Sequence, residues 1–330
     1  MRPFVLEHPA TVDQAVLAAG HGARPAFLAG GTTLLDLMKL DVMRPDTLVD
    51  IGKLQGLDTI EASGKGLRIG AMVKMADAAR DPAILRGYPI VAQSLALAAS
   101  AQLRNMASLG GNVLQRTRCT YFRDVNVAAC NKRSPGSGCS AIGGVDHSHA
   151  VLGASEMCIA TYPGDFAAAL MVLDASVEIA GPKGKRTLAF ADLHRVPGAT
   201  PHIETTLAAG ELIVAFAIPA TPFAARSRYV KVRDRQSYEF AAASAAVVLD
   251  MEGGRVREAR IALGGVASKP WRAPEAEAAL RGKPLDEATA MEAAHAAFAS
   301  ASAHGLNAFK IPLGKATLVR ALLETASMEA

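Results

Sequence analysis

RPAFLAGGTTLLDLMKL, residues 24–40, changes its periodicity at a pair of glycines. Before the pair, PAFLA is an apolar run of strand length. After it, Leu34, Leu35, Leu37 and Met38 recur with the spacing of one helix face. The stretch predicts a short strand, a Gly-Gly turn and a helix. Glycines flanked by the small hydroxyls of Thr32 and Thr33 let backbone N–H groups converge on an anion with no side chains in the way. A second pair, SLGGN at residues 108–112, follows another apolar run and adds the hydroxyl of Ser108. Either loop alone reads most simply as a tight turn. Together they fit two loops closing on one pyrophosphate.

The surrounding pattern mixes helices and strands. Residues 11–21 predict a helix capped by Thr11, and residues 47–52 and 66–72 predict strands. Helices are expected over 74–85 and 90–103. After Gln115 regular periodicity stops until about Ser155, and a loop of that length is uncommon unless it is functional. Order returns with a helix in FAAALMVLDA, strands in SVEIAG and GKRTLAF joined by a GPKGK turn, and a strand in GELIVAFAIP. PATPF, residues 219–223, is a linker candidate. Beyond it, residues 227–266 predict a three-stranded meander with turns near Gln236 and at EGG. Helices over 273–281, 285–303 and 313–327 complete an α+β block.

Composition excludes several functions. Half of the 330 residues are hydrophobic, but no run approaches the ~18 apolar residues of a membrane span, so no membrane insertion is expected. The net charge of +4 is spread along the chain, not gathered into a patch, so no nucleic-acid partner is expected. Neither a G-x-G-x-x-G after a strand, a P-loop, an H-E-x-x-H nor a G-x-S-x-G is present. MRPFVLEHPATVDQAV lacks the pattern of a signal peptide. The expectation is a soluble protein, either cytoplasmic or carried to the periplasm by a signal-bearing partner.

All four cysteines fall in or beside the irregular segment, at Cys119, Cys130, Cys139 and Cys158. A zinc finger or ribbon shows close C-x2–4-C pairs, and none occurs here. Widely spaced single cysteines can wrap a larger object, and a 4Fe-4S cluster takes four thiolates. Arg116, Arg118, Arg123, Lys132 and Arg133 suggest an anionic centre nearby. His147 and His149 read as polar loop residues. A segment this polar is expected to lean on the cluster for its order.

AGGTTLLDLMK, QLRNMASLGGN, YPGDFAAALMVLDA, GELIVAFAIP and YVKVR, in that order, resemble the FAD-binding subunit of the xanthine dehydrogenase family of molybdenum hydroxylases. CNKRSPGSGC and HAVLGASEMCIA are similar to the branch found in three-subunit aldehyde oxidoreductases, whose FAD subunit carries a 4Fe-4S insertion. The resemblance implies an α+β fold: a two-subdomain FAD-binding domain of the PCMH/VAO type, then a C-terminal α+β domain of meander plus helices. The implied bounds are 1–55, 56–222 with the insertion at about 113–158, and 223–330.

The resemblance also implies the site. Phe27, Leu28, Ala29, Gly30, Gly31, Thr32, Thr33 and Leu34 match the first FAD loop. Ser108, Leu109, Gly110, Gly111 and Asn112 match the second, usually T-I-G-G-N. Asp165 matches an aspartate near the ribityl and adenosine hydroxyls, Ile213 a position where backbone meets adenine or flavin, and Lys231 a lysine close to the flavin ring. Ala98 stands where some members place an aromatic ring. Cys119, Cys130, Cys139 and Cys158 match the cluster ligands. No residue matches a molybdenum site, so no catalytic residue is expected here. The implied partners are a molybdopterin-binding large subunit, a 2Fe-2S small subunit and an external electron acceptor. The alternatives are the FAD subunit of another molybdenum hydroxylase, such as a hydroxybenzoyl-CoA reductase or xanthine dehydrogenase, an autonomous flavin oxidase, and a zinc-stabilised scaffold.

Overall fold

The computed structural model describes residues 1–328. The last two positions of the expected third domain lie outside them. Three sheets follow one another along the chain. The first holds β1 (Val5–Glu7), β2 (Pro25–Leu28) and β3 (Thr47–Asp50), parallel, in the order β1-β3-β2. Parallel neighbours need helical crossovers, which Val12–Ala18 and Leu34–Lys39 supply. Thr11 caps the first of these, its hydroxyl accepting from Gln14 N–H at 3.2 Å. β3 is central and carries the buried Leu48 and Val49.

The second sheet is antiparallel: β4 (Ile60–Ser63), β5 (Gly66–Gly70), β6 (Ser176–Gly181), β7 (Gly184–Ala189) and β8 (Leu212–Pro219), in the order β4-β5-β8-β6-β7. Everything from residue 71 to 175 is inserted between β5 and β6. Within it the helix Phe166–Val172 is buried at every residue, packs against the third sheet and sets Phe166 edge-on to Phe216 of the second. A helix apolar on all sides belongs in a core. The third sheet holds β9 (Ser227–Val232), β10 (Ala243–Glu252), β11 (Arg255–Gly264) and β12 (Trp271–Arg272), in the order β12-β11-β10-β9. Helices Pro274–Leu280, Glu287–Ala297 and Lys310–Ala326 cover it.

The mixed α+β architecture is as the sequence predicts; several elements differ in detail. The expected helix 74–85 is two, Met75–Ala78 and Pro82–Gly87. Pro82 takes the first helical position and the Asp81 carboxylate accepts from Ala83 and Ile84 N–H, so a new helix starts there. The expected helix 90–103 also divides, into Pro89–Ala96 and Ala101–Met106. Ser100 caps the second, and Ala99 makes the turn at φ 48°. The meander gains β12, which Pro270 and Pro274 confine to two residues. β1 and β4 are too short to leave a pattern. Among the described residues no helix is long and apolar enough to cross a membrane.

Candidate FAD cleft and cysteine pocket

The two Gly-Gly loops touch. A Cβ added at Gly30 would stand 2.1 Å from the Met106 carbonyl oxygen, so only glycine allows the approach. Gly31 turns the chain at φ 72°, where β-branched residues do not go. The second pair is not a free turn. Ser108 caps a one-turn helix, Leu109–Val113, accepting from Gly111 N–H at 3.3 Å. Leu109 and Gly110 donate to the Val73 and Ala71 carbonyls at 3.0 and 2.8 Å. The amides of the second loop are therefore engaged within the protein, and what it presents is the Ser108 hydroxyl. In the first loop the N–H groups of Thr32, Thr33 and Leu34 find no acceptor among the described residues.

Between the loops lies an open cleft of about 270 Å³. Phe27, Ile51, Met72, Leu212 and Ile213 make it largely apolar, and Thr32, Thr33 and Ser108 add hydroxyls. Ala29, Gly30, Gly31, Leu34, Gly110 and Gly111 complete the expected lining. An apolar floor beside free amides and hydroxyls suits an adenine ring joined to a pyrophosphate. Leu28, Leu109, Asn112, Asp165 and Lys231 do not line the cleft. Leu109 is fully buried in the main core, and Asn112 Oδ1 is buried with no partner among the described residues. Asp165 and Lys231 meet each other: Lys231 Nζ lies 2.9 Å from Asp165 Oδ2, and Tyr229 donates to Oδ1 at 2.6 Å. Lys231 also donates to the Leu97 carbonyl at 3.1 Å. Burial pushes the Asp165 carboxyl above the ordinary carboxylate range, against the pull of Lys231 and Tyr229.

The four cysteines are free thiols. Cys119, Cys130 and Cys158 share one small apolar cluster with Leu37, Phe122 and Ala160, and Cys139 bridges to Cys130 across a backbone pair. Burial pushes the Cys119 thiol up to about 11 and raises Cys158 too, so without a cationic partner both stay protonated. Among the described residues no three or more His, Cys, Asp or Glu side chains converge on one metal ion. Three of the four thiols thus share one pocket, with the fourth paired to it through backbone.

Comparison with known proteins places this geometry. Residues 2–221 match the family described as the FAD binding domain in molybdopterin dehydrogenase, and residues 228–325 match the CO dehydrogenase flavoprotein C-terminal domain. The chain is 47% identical over 98% of its length, and 98% of the relative's, to the aldehyde oxidoreductase FAD-binding subunit PaoB of Escherichia coli. It is 30% identical to the carbon monoxide dehydrogenase medium chain of Afipia carboxidovorans, covering 86% of this chain and 82% of that one. A solved carbon monoxide dehydrogenase from Hydrogenophaga pseudoflava superposes with a TM-score of 0.77 at 27% identity, covering 98% and 97% of the two chains. The chain is an FAD-binding subunit of the molybdenum hydroxylase family.

In this flavoprotein the basic residues near the cysteines are not the free cations the sequence suggested. Arg123 grips Asp36 with two bonds of 2.8 and 3.0 Å, and Arg118 joins at 3.4 Å. Arg116 and Lys132 both bind Glu204. Arg133 donates to the carbonyls of Tyr121, Phe122 and Val127. The irregular segment is thus tied to the helix behind the first loop through Asp36 and to the chain ahead of β8 through Glu204. Neither carboxylate was singled out from sequence, because each stands more than eighty residues from its arginine. His149 also departs from expectation: it is buried, with Nε2 3.2 Å from Cys119 Sγ.

Proposed function

We propose that this chain is the FAD- and 4Fe-4S-carrying electron-transfer subunit of a molybdenum-dependent aldehyde oxidoreductase. In this reading it receives electrons from the 2Fe-2S centres of a small subunit, beside a molybdopterin-binding large subunit, and passes them to an external acceptor. What carries the reading is the convergence of both glycine loops and Ile213 on one cleft, in a chain nearly half identical to an aldehyde oxidoreductase FAD-binding subunit.

The residues then take these parts. The amides of Thr32, Thr33 and Leu34 and the hydroxyl of Ser108 hold the pyrophosphate, and Phe27, Ile51 and Ile213 exclude water from the adenine. Leu28, Leu109 and Asn112 support the two loops from behind. The Asp165–Lys231 pair fixes the wall between the Leu97 turn and β9 toward the flavin side. FAD, when bound, takes up electrons and releases them singly or in pairs. The loops contain no His or Cys, so the flavin is held without a covalent link. Cys119, Cys130, Cys139 and Cys158 hold the cluster, which supplies one-electron chemistry beside the cleft. Domain bounds of 1–55, 56–222 and 223–330 go with this reading.

The test is a visible spectrum with iron and acid-labile sulfide assays on the complex purified without oxygen. Flavin bands over a broad iron–sulfur absorbance, with four irons beyond those of the small subunit, are expected. Flavin without the extra iron overturns the cluster, and zinc in its place does so too. A complex that oxidises no aldehyde overturns the substrate class.

A further inference from the structure

Among the described residues, Cys119 is the only one of the four cysteines whose sulfur meets a side-chain hydrogen-bonding group, and that group is His149 Nε2 at 3.2 Å. We propose that His149 donates a hydrogen bond from Nε2 to the Cys119 thiolate and thereby raises the reduction potential of the cluster. This rests on the cluster reading above. A metal-bound thiolate carries no proton, so the contact holds only with the hydrogen on Nε2; the other tautomer would set two lone pairs against each other. His149 is 2% exposed, so the contact from Nε2 to the sulfur is shielded from water. Among the described residues Nδ1, left as the acceptor, has no hydrogen-bond partner.

The ring is held from the far end of the chain. Asp146 accepts from Leu306 N–H at 2.7 Å, the Ser148 carbonyl takes Lys310 Nζ at 3.0 Å, and the Ala150 carbonyl takes Asn307 Nδ2 at 3.1 Å. Thr161 donates to the same Ser148 carbonyl at 2.9 Å. Lys310 and Asn307 are themselves buried. A donor fixed at both flanks needs no reorganisation when the charge on sulfur changes. A hydrogen bond draws density from the sulfur and favours the reduced cluster, which carries more negative charge. His149 is in these terms a positioning residue that tunes the centre through its ligand.

The experiment is an EPR-monitored redox titration of the intact complex as wild type, His149→Phe and His149→Gln. Removing the N–H in His149→Phe is expected to lower the reduced-to-oxidised ratio at a fixed poise about tenfold, which for one electron is ~59 mV. His149→Gln keeps an amide N–H and is expected near wild type. An unchanged potential in His149→Phe with its iron retained overturns the proposal. Wild type with no iron and sulfide beyond those of the small subunit overturns the cluster reading instead. Should His149→Phe lose its cluster, the wild type still decides: in the reduced cluster, electron–nuclear double resonance should find coupling to an exchangeable proton and to isotopically labelled histidine nitrogen. Its absence overturns the proposal.

Discussion

The cleft and the cysteine pocket lie side by side but are held by different means. The cleft forms where backbone meets backbone: Gly30 against the Met106 carbonyl, Gly110 against Ala71, the Ser108 cap under a single helical turn. The segment around the cysteines has one short helix, Thr120–Arg123, and takes its shape from charged side chains gripping remote partners, Asp36 and Glu204 above all. Packed backbone is insensitive to salt and pH, whereas ion pairs respond to both. The irregular segment therefore takes its shape in this structure from charged anchors around a small apolar cluster.

The sharpest way to break the comparison is to remove one ligand. Cys130→Ser should lose the iron of this subunit completely while FAD stays bound near one per chain, because no cysteine lines the cleft. Iron and flavin assays on the same sample read both. Four irons retained would take Cys130 out of the ligand set, and loss of flavin would join the two regions into one.

Acid should act on the cleft through His194. Its Nε2 donates at 3.0 Å to the Val113 carbonyl at the end of the second-loop helix, and Tyr162 donates to the same oxygen. Burial lowers its pKa from 6.5 to about 4. Above 6.5 the ring is neutral in both states. Below 6.5 the unfolded chain binds a proton that the folded chain refuses until about 4, so stability falls across that window by about 3 kcal/mol. Denaturant titrations at pH 7 and pH 4.5 should show that fall, and His194→Gln should flatten it. An unchanged slope in the variant would remove His194 as the cause.

Gly30→Ala forces the loops apart and should cost ~1–3 kcal/mol, with a matching fall in FAD occupancy. Full occupancy would mean that the loops open without consequence. The smallest effect expected is from Asp36→Asn, about 1 kcal/mol, because Asp36 is partly exposed. It should appear as faster proteolysis between residues 113 and 158, more so at low salt, with the flavin spectrum unchanged. Equal cleavage of wild type and variant would leave Asp36 without a role as anchor.

What was legible in the sequence follows the same division. The glycine loops, the Thr11 cap, the linker near residue 222 and the clustering of cysteines are local signals, and the chain writes them in consecutive letters. The anchors are not local: Arg116 finds Glu204 and Asp146 finds the Leu306 amide only through the fold. His149 was misread because burial is a tertiary property, and a histidine in a polar stretch carries no mark of it. The engaged amides of the second loop were hidden for a related reason, since SLGGN does not say that Val73 and Ala71 lie alongside. The two divided helices were a different failure. Asp81-Pro82 does announce a helix start, but the apolar period of residues 74–85 continues across it and masks the break.

The bonds from Leu306, Asn307 and Lys310 to residues 146–150 also set an order of events during synthesis. The groups that lock the His149 loop leave the ribosome well after it, 160 residues on in the case of Leu306 and Asp146. At ~5–20 residues per second they follow it by roughly ten to thirty seconds. The wall around His149 is therefore completed only by residues made long after the loop itself, which makes its closure a late event in the life of the nascent chain.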